Sequence, residues 1–483
     1  MLFNSFDFLF FFPAAVVVFY LLKHRYRWIW LLFCSYFFYM YIEPMLLLLL
    51  WTSTIMDYYC GLKMEQYNEI KIRRRFLYLS IVTNLGLLFF FKYFVFFTQN
   101  AVEVLDFFGI QMGMAVNGGH SDYVKILLPI GISFYTFQTM SYSIDVYKRE
   151  IPAERHLGRY ALFVSFFPQL VAGPIERTKR LLPQFSKVVH FDAERIKKGI
   201  IMMAWGFFLK LIVADRLGVY VDDVFYNASD YKGLPLLLGS YFFVFQIYYD
   251  FSGYCAIAIG AAHVLGYNLM QNFNRPFFPD SIADFWRKWH ISLMKWFRDY
   301  LYIPLVRKLK FSKVSAILVV FFFNGLWHGA SWTFVVWGVL CGVLLIVDNK
   351  TIPMRRSFLN SIGLSYKMKG IKILNGAMLF TMLVVILVFF RSPSIGQAGI
   401  YINNMFSLSS SALNVYHDKF ELGLSFFLVI LVQTIHFYKG NNRIYELIWN
   451  RQRWLRWIFY FLFILVMVLF STNRQNNFIY FQF

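Results

Sequence analysis

Charge is scarce in this chain. Asp, Glu, Lys and Arg together make up 15% of its 483 residues, against roughly 25% in soluble globular proteins. Apolar residues make up 59%, and 59 residues are Phe. So little charge beside so much apolar surface excludes a disordered chain, a collagenous repeat and a small secreted scaffold, and argues against a soluble enzyme. Cysteine is scarce as well. Cys34, Cys60, Cys255 and Cys341 lie in or beside apolar runs and form no CxxC, which argues against a disulfide frame and a zinc site. Walker, GxGxxG, HExxH and GxSxG patterns are all missing, so nucleotide-loop, zinc-protease and α/β-hydrolase chemistry is not indicated. No metal site is expected. No Pro-, Gly- or Ser-rich linker interrupts the chain, so 1–483 reads as one polytopic membrane domain, densest in motifs over about 125–350.

Acid is scarcer than base. The 47 basic and 26 acidic side chains leave a formal charge of +21. A nucleic-acid binder would carry such charge on a soluble fold. Here the basic residues collect between apolar runs, as cytoplasmic loops of membrane proteins do. Residues 6–22 form the first apolar run, and Lys23, Arg25 and Arg27 follow it. A signal peptide has the opposite order, so this is a first transmembrane helix with its N-terminus outside. The same rule threads the rest. Residues 28–60 are two segments split at Glu43-Pro44, and 76–98 and 126–144 are crossings. The run 160–172 is too short for a span and reads as re-entrant. Residues 199–214 lead to an acidic loop with Asp222, Asp223 and Asp230, and 234–264 return with Asp250 inside. Residues 314–347 are too long for one span and predict a hairpin or broken helix. The last crossings are 373–390, 422–438 and 454–471. The expected fold is all-α, with roughly ten to twelve crossings and both termini outside.

Polar groups inside such a body mark function. On a helical wheel, residues 284–300 separate Trp286, Trp289, Leu293, Trp296, Phe297 and Tyr300 from Asp284, Arg287, Lys288, Lys295, Arg298 and Asp299. That predicts an amphipathic helix at the cytoplasmic interface, with His290 in its apolar stripe. A hydrogen-bonded core histidine explains His290 equally well. The second constellation is Asn324-Gly-Leu-Trp-His328-Gly-Ala-Ser331-Trp. Asn324, His328 and Ser331 share one face if the helix is continuous, and Gly325, Gly329 and Ala330 permit close approach of another helix or a ligand. His328 would lie roughly 22 Å along the helix from Lys313, deep enough for a neutral histidine to take a proton from a hydroxyl.

Taken together, LPIGISFYTFQTMSYSIDVYKRE (128–150), FFPQLVAGPIER (166–177), QIYYDFSGY (246–254), NFNRPF (272–277), DFWRKWHISL (284–293) and NGLWHGASWTFVVWG (324–338) resemble the membrane-bound O-acyltransferase (MBOAT) family. The similarity is to its bacterial branch, which includes alginate O-acetyltransferase membrane subunits. The resemblance implies that His328 is catalytic and that His290 is the second characteristic polar position. Where that branch has Ser-Asp after DFSGY, this chain has Cys255-Ala256.

Family and site imply transfer of an acyl group from a cytoplasmic thioester, with acetyl-CoA as donor, and no permanently bound cofactor. Asn324 or Ser331 would bind the oxyanion or orient His328. The expected setting is a bacterial inner membrane. The partners implied are membrane lipids, a membrane-anchored or periplasmic transferase of serine-hydrolase type, and a polysaccharide acceptor such as alginate or another exopolysaccharide. Peptidoglycan O-acetylation and teichoic-acid D-alanylation are alternatives, as is a non-catalytic transporter or scaffold. The C-terminal Asn-Asn-Phe-Ile-Tyr480-Phe-Gln-Phe is similar to the tyrosine-bearing tail of a small partner in D-alanylation systems. Tyr480 is then a candidate acyl relay, or alternatively part of an interfacial aromatic belt.

Overall fold

The computed structural model describes residues 1–483 except 42, 111–128, 278, 367, 414, 417, 450, 472–477 and 480–483. Among the described residues it is helical, with no strand. Among the described residues six helices are long and apolar enough to cross a membrane, and Phe6–Leu21 and Lys313–His328 are shorter apolar helices. Trp457, Ile464 and Val468 of Arg453–Phe470 are exposed, and no residue of that helix is buried. Water would not tolerate so continuous an apolar surface, whereas lipid does. The chain is a multi-pass membrane protein.

The sequence reads as one body, and the contacts gather it into two compact units, Met1–Phe191 and Asp192–Phe483. In the first unit, α1 (Phe6–Leu21), α2 (His24–Met40) and α3 (Leu46–Gln66) reproduce the expected segments, with the break at Glu43-Pro44. The crossing expected over 76–98 belongs to a longer helix, α4 (Ile70–Phe107). Helix α5 is Ile132–Tyr147. Of the external loop expected over 99–125, residues up to Phe107 belong to α4, residues 108–110 follow it, and the rest lies outside the described residues. The short run after it breaks into Leu157–Ser165 and Phe167–Leu170, with Leu162, Phe163, Phe166 and Phe167 buried. Asp57 of α3 ties this unit together. Its carboxylate accepts from Ser80 (2.5 Å) and Asn84 (2.8 Å) of α4 and from Ser143 (3.2 Å) of α5. A buried carboxylate needs such donors, and here they join three helices.

The second unit opens with α6 (Ala193–Phe207), a wider π-helical stretch (Phe208–Ala214) and α7 (Asp215–Tyr226). The helix therefore runs through Asp222 and Asp223, which the sequence placed in a loop. Helix α8 (Leu234–Val264) matches its expected bounds. Then come α9 (Ile282–Lys288), α10 (Ile291–Phe297), the hairpin of α11 (Lys313–His328) and α12 (Trp332–Ser361), α13 (Gly370–Arg391), α14 (Lys419–Lys439) and α15 (Arg453–Phe470).

Two corrections concern the site. The amphipathic helix expected over 284–300 is broken between α9 and α10. His290 sits at the break in a left-handed conformation, φ 43° and ψ 52°. Trp286, Trp289, Trp296 and Phe297 are buried in the protein and do not lie in an exposed stripe. The continuous face through Asn324, His328 and Ser331 does not exist either. Helix α11 ends at His328, and Ser331 caps α12, its hydroxyl accepting from the Thr333 N–H at 3.3 Å.

Candidate active site

The segment Asn272–Asn274, in the NFNRPF motif, holds the break at His290 open. The Asn274 N–H donates to the Lys288 carbonyl on one side (2.9 Å), and the Ile291 N–H donates to the Asn272 carbonyl on the other (2.9 Å). The Asn272 side-chain oxygen also accepts from the Ser292 N–H (3.1 Å) and hydroxyl (2.9 Å). These bonds replace the helical ladder that the left-handed residue interrupts. Helix α9 is fixed separately: the Ile282 N–H donates to Asp348 Oδ2 of α12 at 2.8 Å. Asp284, on α9, is partly buried, which alone would raise its pKa. Hydrogen bonds from Lys288 and from the Asp280 N–H outweigh that and hold it below the ordinary carboxylate value.

His328 arrives from the hairpin. Gly325 and Gly338 let α11 and α12 touch main chain to main chain. A Cβ at Gly325 would lie 2.3 Å from the Phe334 carbonyl oxygen, and one at Gly338 2.3 Å from that of Phe321. The turn places His328 against the edges of Trp327 (ring centroids 5.0 Å), Trp337 (5.0 Å) and Phe390 (5.2 Å).

The two histidines meet. Their ring centroids are 6.5 Å apart at 72°, with Trp327 also 5.7 Å from His290. Both are buried, His290 at 1% and His328 at 5% exposure. Around His328, the residues Trp286, Trp289, Trp337, Cys341 and Phe390 line a small cavity of about 20 Å³. Trp286 Nε1 and Trp337 Nε1 have no hydrogen-bond partner among the described residues, nor do the amide atoms of Asn324 one turn before His328. Buried donors are seldom left unmade in a folded protein, so these mark where a polar ligand or water belongs.

A second, more open cavity of about 130 Å³ lies toward His290. Tyr248, Asn272, Phe273 and His436 line it, and Arg275, Lys439 and Arg443 give it a cationic rim. The Phe273 ring is 6.3 Å from that of His290. The sequence reading carried nothing over beyond about 350 except the tail, so it missed His436, Lys439 and Arg443. It missed Lys210 too, although a lone lysine in an apolar run is a signal in itself. Lys210 is buried between Asp215 Oδ1 (2.9 Å) and Asp250 Oδ1 (2.7 Å). Tyr480 lies outside the described residues. The two residues before it, Phe478 and Ile479, are buried against α8.

Two histidines meeting in a buried aromatic pocket of a helical membrane body suit proton transfer to and from a hydroxyl. The chain belongs to the membrane-bound O-acyltransferase family, whose model matches residues 148–390, and it is an acyltransferase. It is 34% identical over 450 residues to a probable alginate O-acetylase of Pseudomonas aeruginosa, covering 92% of this chain and 82% of the relative. It is 30% identical to a peptidoglycan O-acetyltransferase of Helicobacter pylori, covering 94% and 91%. It is also similar to a teichoic acid D-alanyltransferase of Bacillus subtilis, 31% identical over 46% of this chain and 58% of that one.

Proposed function

We propose that this protein takes acetyl from acetyl-CoA on the cytoplasmic side of a bacterial inner membrane and passes it across for O-acetylation of an extracytoplasmic polysaccharide. The observation that carries this reading is the approach of the His290 and His328 rings to 6.5 Å inside a buried aromatic pocket. His328 acts as general base. It takes the proton of an acceptor hydroxyl as that oxygen attacks the thioester carbonyl. The carbon–sulfur bond then breaks, and the thiolate takes the proton back from the imidazolium. His290 orients the thioester between the two cavities. The Asn324 amide and the indole N–H groups of Trp286 and Trp337 are the donors available to a developing oxyanion. Ser331 caps α12 as an acceptor, which leaves its O–H as a further candidate donor.

The rim of Arg275, Lys439 and Arg443 supports a donor bearing phosphates. Acetyl is favoured over D-alanyl because the acetyl-transferring relatives align across most of this chain. An exopolysaccharide such as alginate is the favoured acceptor, with peptidoglycan the alternative. The acyl group would leave through Tyr480 as a relay, to a membrane-anchored or periplasmic transferase of serine-hydrolase type. Support for the relay is that Phe478 packs on Phe251 (5.6 Å), which packs on His290 (4.8 Å).

His328→Ala tests the reading. Loss of a general base should lower glycan O-acetylation on the order of a hundredfold or more. The variant should remain monodisperse in detergent with a near-normal melting temperature. Ordinary O-acetylation in cells that carry only this variant would refute the assignment.

A further inference from the structure

Two described residues of the C-terminal tail are inserted into the second unit. Phe478 and Ile479 are 2% and 3% exposed. The Ile479 N–H donates to Asp250 Oδ2 at 2.7 Å. The Phe478 ring stacks on Tyr254, one turn further along α8, at 4.6 Å and 28°. The other oxygen of Asp250 pairs with Lys210, which also pairs with Asp215. One ammonium therefore serves two carboxylates, all three of them buried. In a medium of low dielectric a buried carboxylate is costly unless enough donors reach it. A main-chain N–H on a carboxylate is a strong, charge-assisted donor of that kind.

We infer that Asp250, held by the Lys210 ammonium that Asp215 also pairs, is the positioning residue for the C-terminal tail: a docking post that grips the tail by its main chain, one residue before Tyr480. The fold is arranged for this at three points. The π-helical stretch Phe208–Ala214 carries Lys210, and such widened turns are frequent at functional sites. Tyr254 offers the face on which Phe478 stacks. Phe251 lies between them on α8, touching Phe478 on one side and His290 on the other. The main-chain bond sets the depth of insertion, and the aromatic stack sets the orientation. That docking contributes to turnover rests on the acyl-transfer reading above. The docking itself does not.

The test separates the two. Ile479→Cys keeps the main-chain N–H and adds a thiol, in a chain whose four native cysteines are buried. In full-length protein in detergent, this thiol should resist a bulky maleimide. Asp250→Ala should raise its rate of modification tenfold or more. Asp250→Asn, which keeps an acceptor oxygen, should restore protection. His328→Ala in the same background should leave protection unchanged, so failure of the catalytic reading would not be mistaken for failure of docking. Ile479→Pro deletes the N–H and leaves the ion triad whole. It should cut glycan acylation about as far as Asp250→Ala does, through kcat and not through the donor KM. The proposal is overturned if Ile479→Cys reacts freely with Asp250 in place, if Asp250→Ala leaves it protected, or if Ile479→Pro keeps full activity while Asp250→Ala loses it.

Discussion

At the scale of single residues, the unusual feature is the backbone of His290. A left-handed φ of 43° is uncommon for a residue with a Cβ and costs about 1–2 kcal/mol. Glycine would adopt it without that cost, so the ring must supply what glycine cannot. Two substitutions separate backbone from ring. His290→Gly and His290→Ala both remove the imidazole, and both should lose acyl transfer. Only the alanine variant keeps the strain, so it should be the less stable of the two by about 1 kcal/mol, read as a lower melting temperature in detergent. Acyl transfer retained by either would leave the ring with a packing role alone. Tyr480 is tested in the same way. Tyr480→Phe removes one oxygen and keeps the aromatic ring. As a relay, Tyr480 supplies the attacking hydroxyl, and the variant should lose acylation nearly as fully as His328→Ala. Full activity would make Tyr480 an aromatic anchor and move the acceptor hydroxyl to the partner. His328 was legible in the sequence as a polar group in an apolar run, and His290 as a polar group on the apolar stripe of 284–300. The helical face shared with Ser331 was misjudged, because it required a helix to continue through Gly329, and the hairpin turns there.

At the scale of elements, helices α6 and α8 pack through paired glycines. A Cβ at Gly206 would lie 2.5 Å from the Gly253 carbonyl oxygen, and one at Gly199 2.8 Å from that of Gly260. These atoms belong to the main chain and cannot swing aside, so the two helices lie as close as backbones allow. That closeness lets Lys210, just beyond α6, reach Asp250 in the middle of α8. Gly206→Val should force the helices apart, costing about 1–3 kcal/mol as overpacking does and loosening the docked tail. Gly423→Ala, within α14, meets nothing within 4 Å. It should be neutral or stabilising by up to about 1 kcal/mol. Equal melting temperatures for the two variants would mean the glycine seam does not hold the pair together. Hydropathy and charge located most of these helices well, α8 to the residue. They failed at 284–300, where the wheel is a local reading. The bonds that break the helix there come from Asn272 and Asn274, and a periodicity confined to one segment cannot register them.

At the scale of the whole molecule, the proposed direction of acyl flow rests on the distribution of basic residues. Each Lys or Arg near an anionic cytoplasmic leaflet contributes about 1 kcal/mol toward keeping its loop there. Lys63, Lys71, Arg74 and Arg75 cluster at one end of α3 and α4. Arg73 is spent internally on the Met64, Val146 and Tyr147 carbonyls. Arg155 is 83% exposed at its side chain, and Asp230 is exposed in the acidic loop after α7. Cysteines at Lys71 and Arg155 should therefore resist a membrane-impermeant maleimide in intact cells, and one at Asp230 should react. Asp230 is the better probe than Asp223, whose carboxylate is tied to Tyr231 at 2.7 Å. A fourth position tests the donor side directly. Asn442 is exposed on the cationic cavity beside Lys439 and Arg443. Asn442→Cys should be shielded in intact cells and modified in inverted vesicles, and acetyl-CoA should slow that modification if its phosphates occupy the rim. Labelling of Asn442→Cys from outside intact cells would open the cationic cavity to a compartment without acyl thioesters. Acetyl could then not enter beside His290, and the path from thioester through His328 to an external hydroxyl would have to be abandoned.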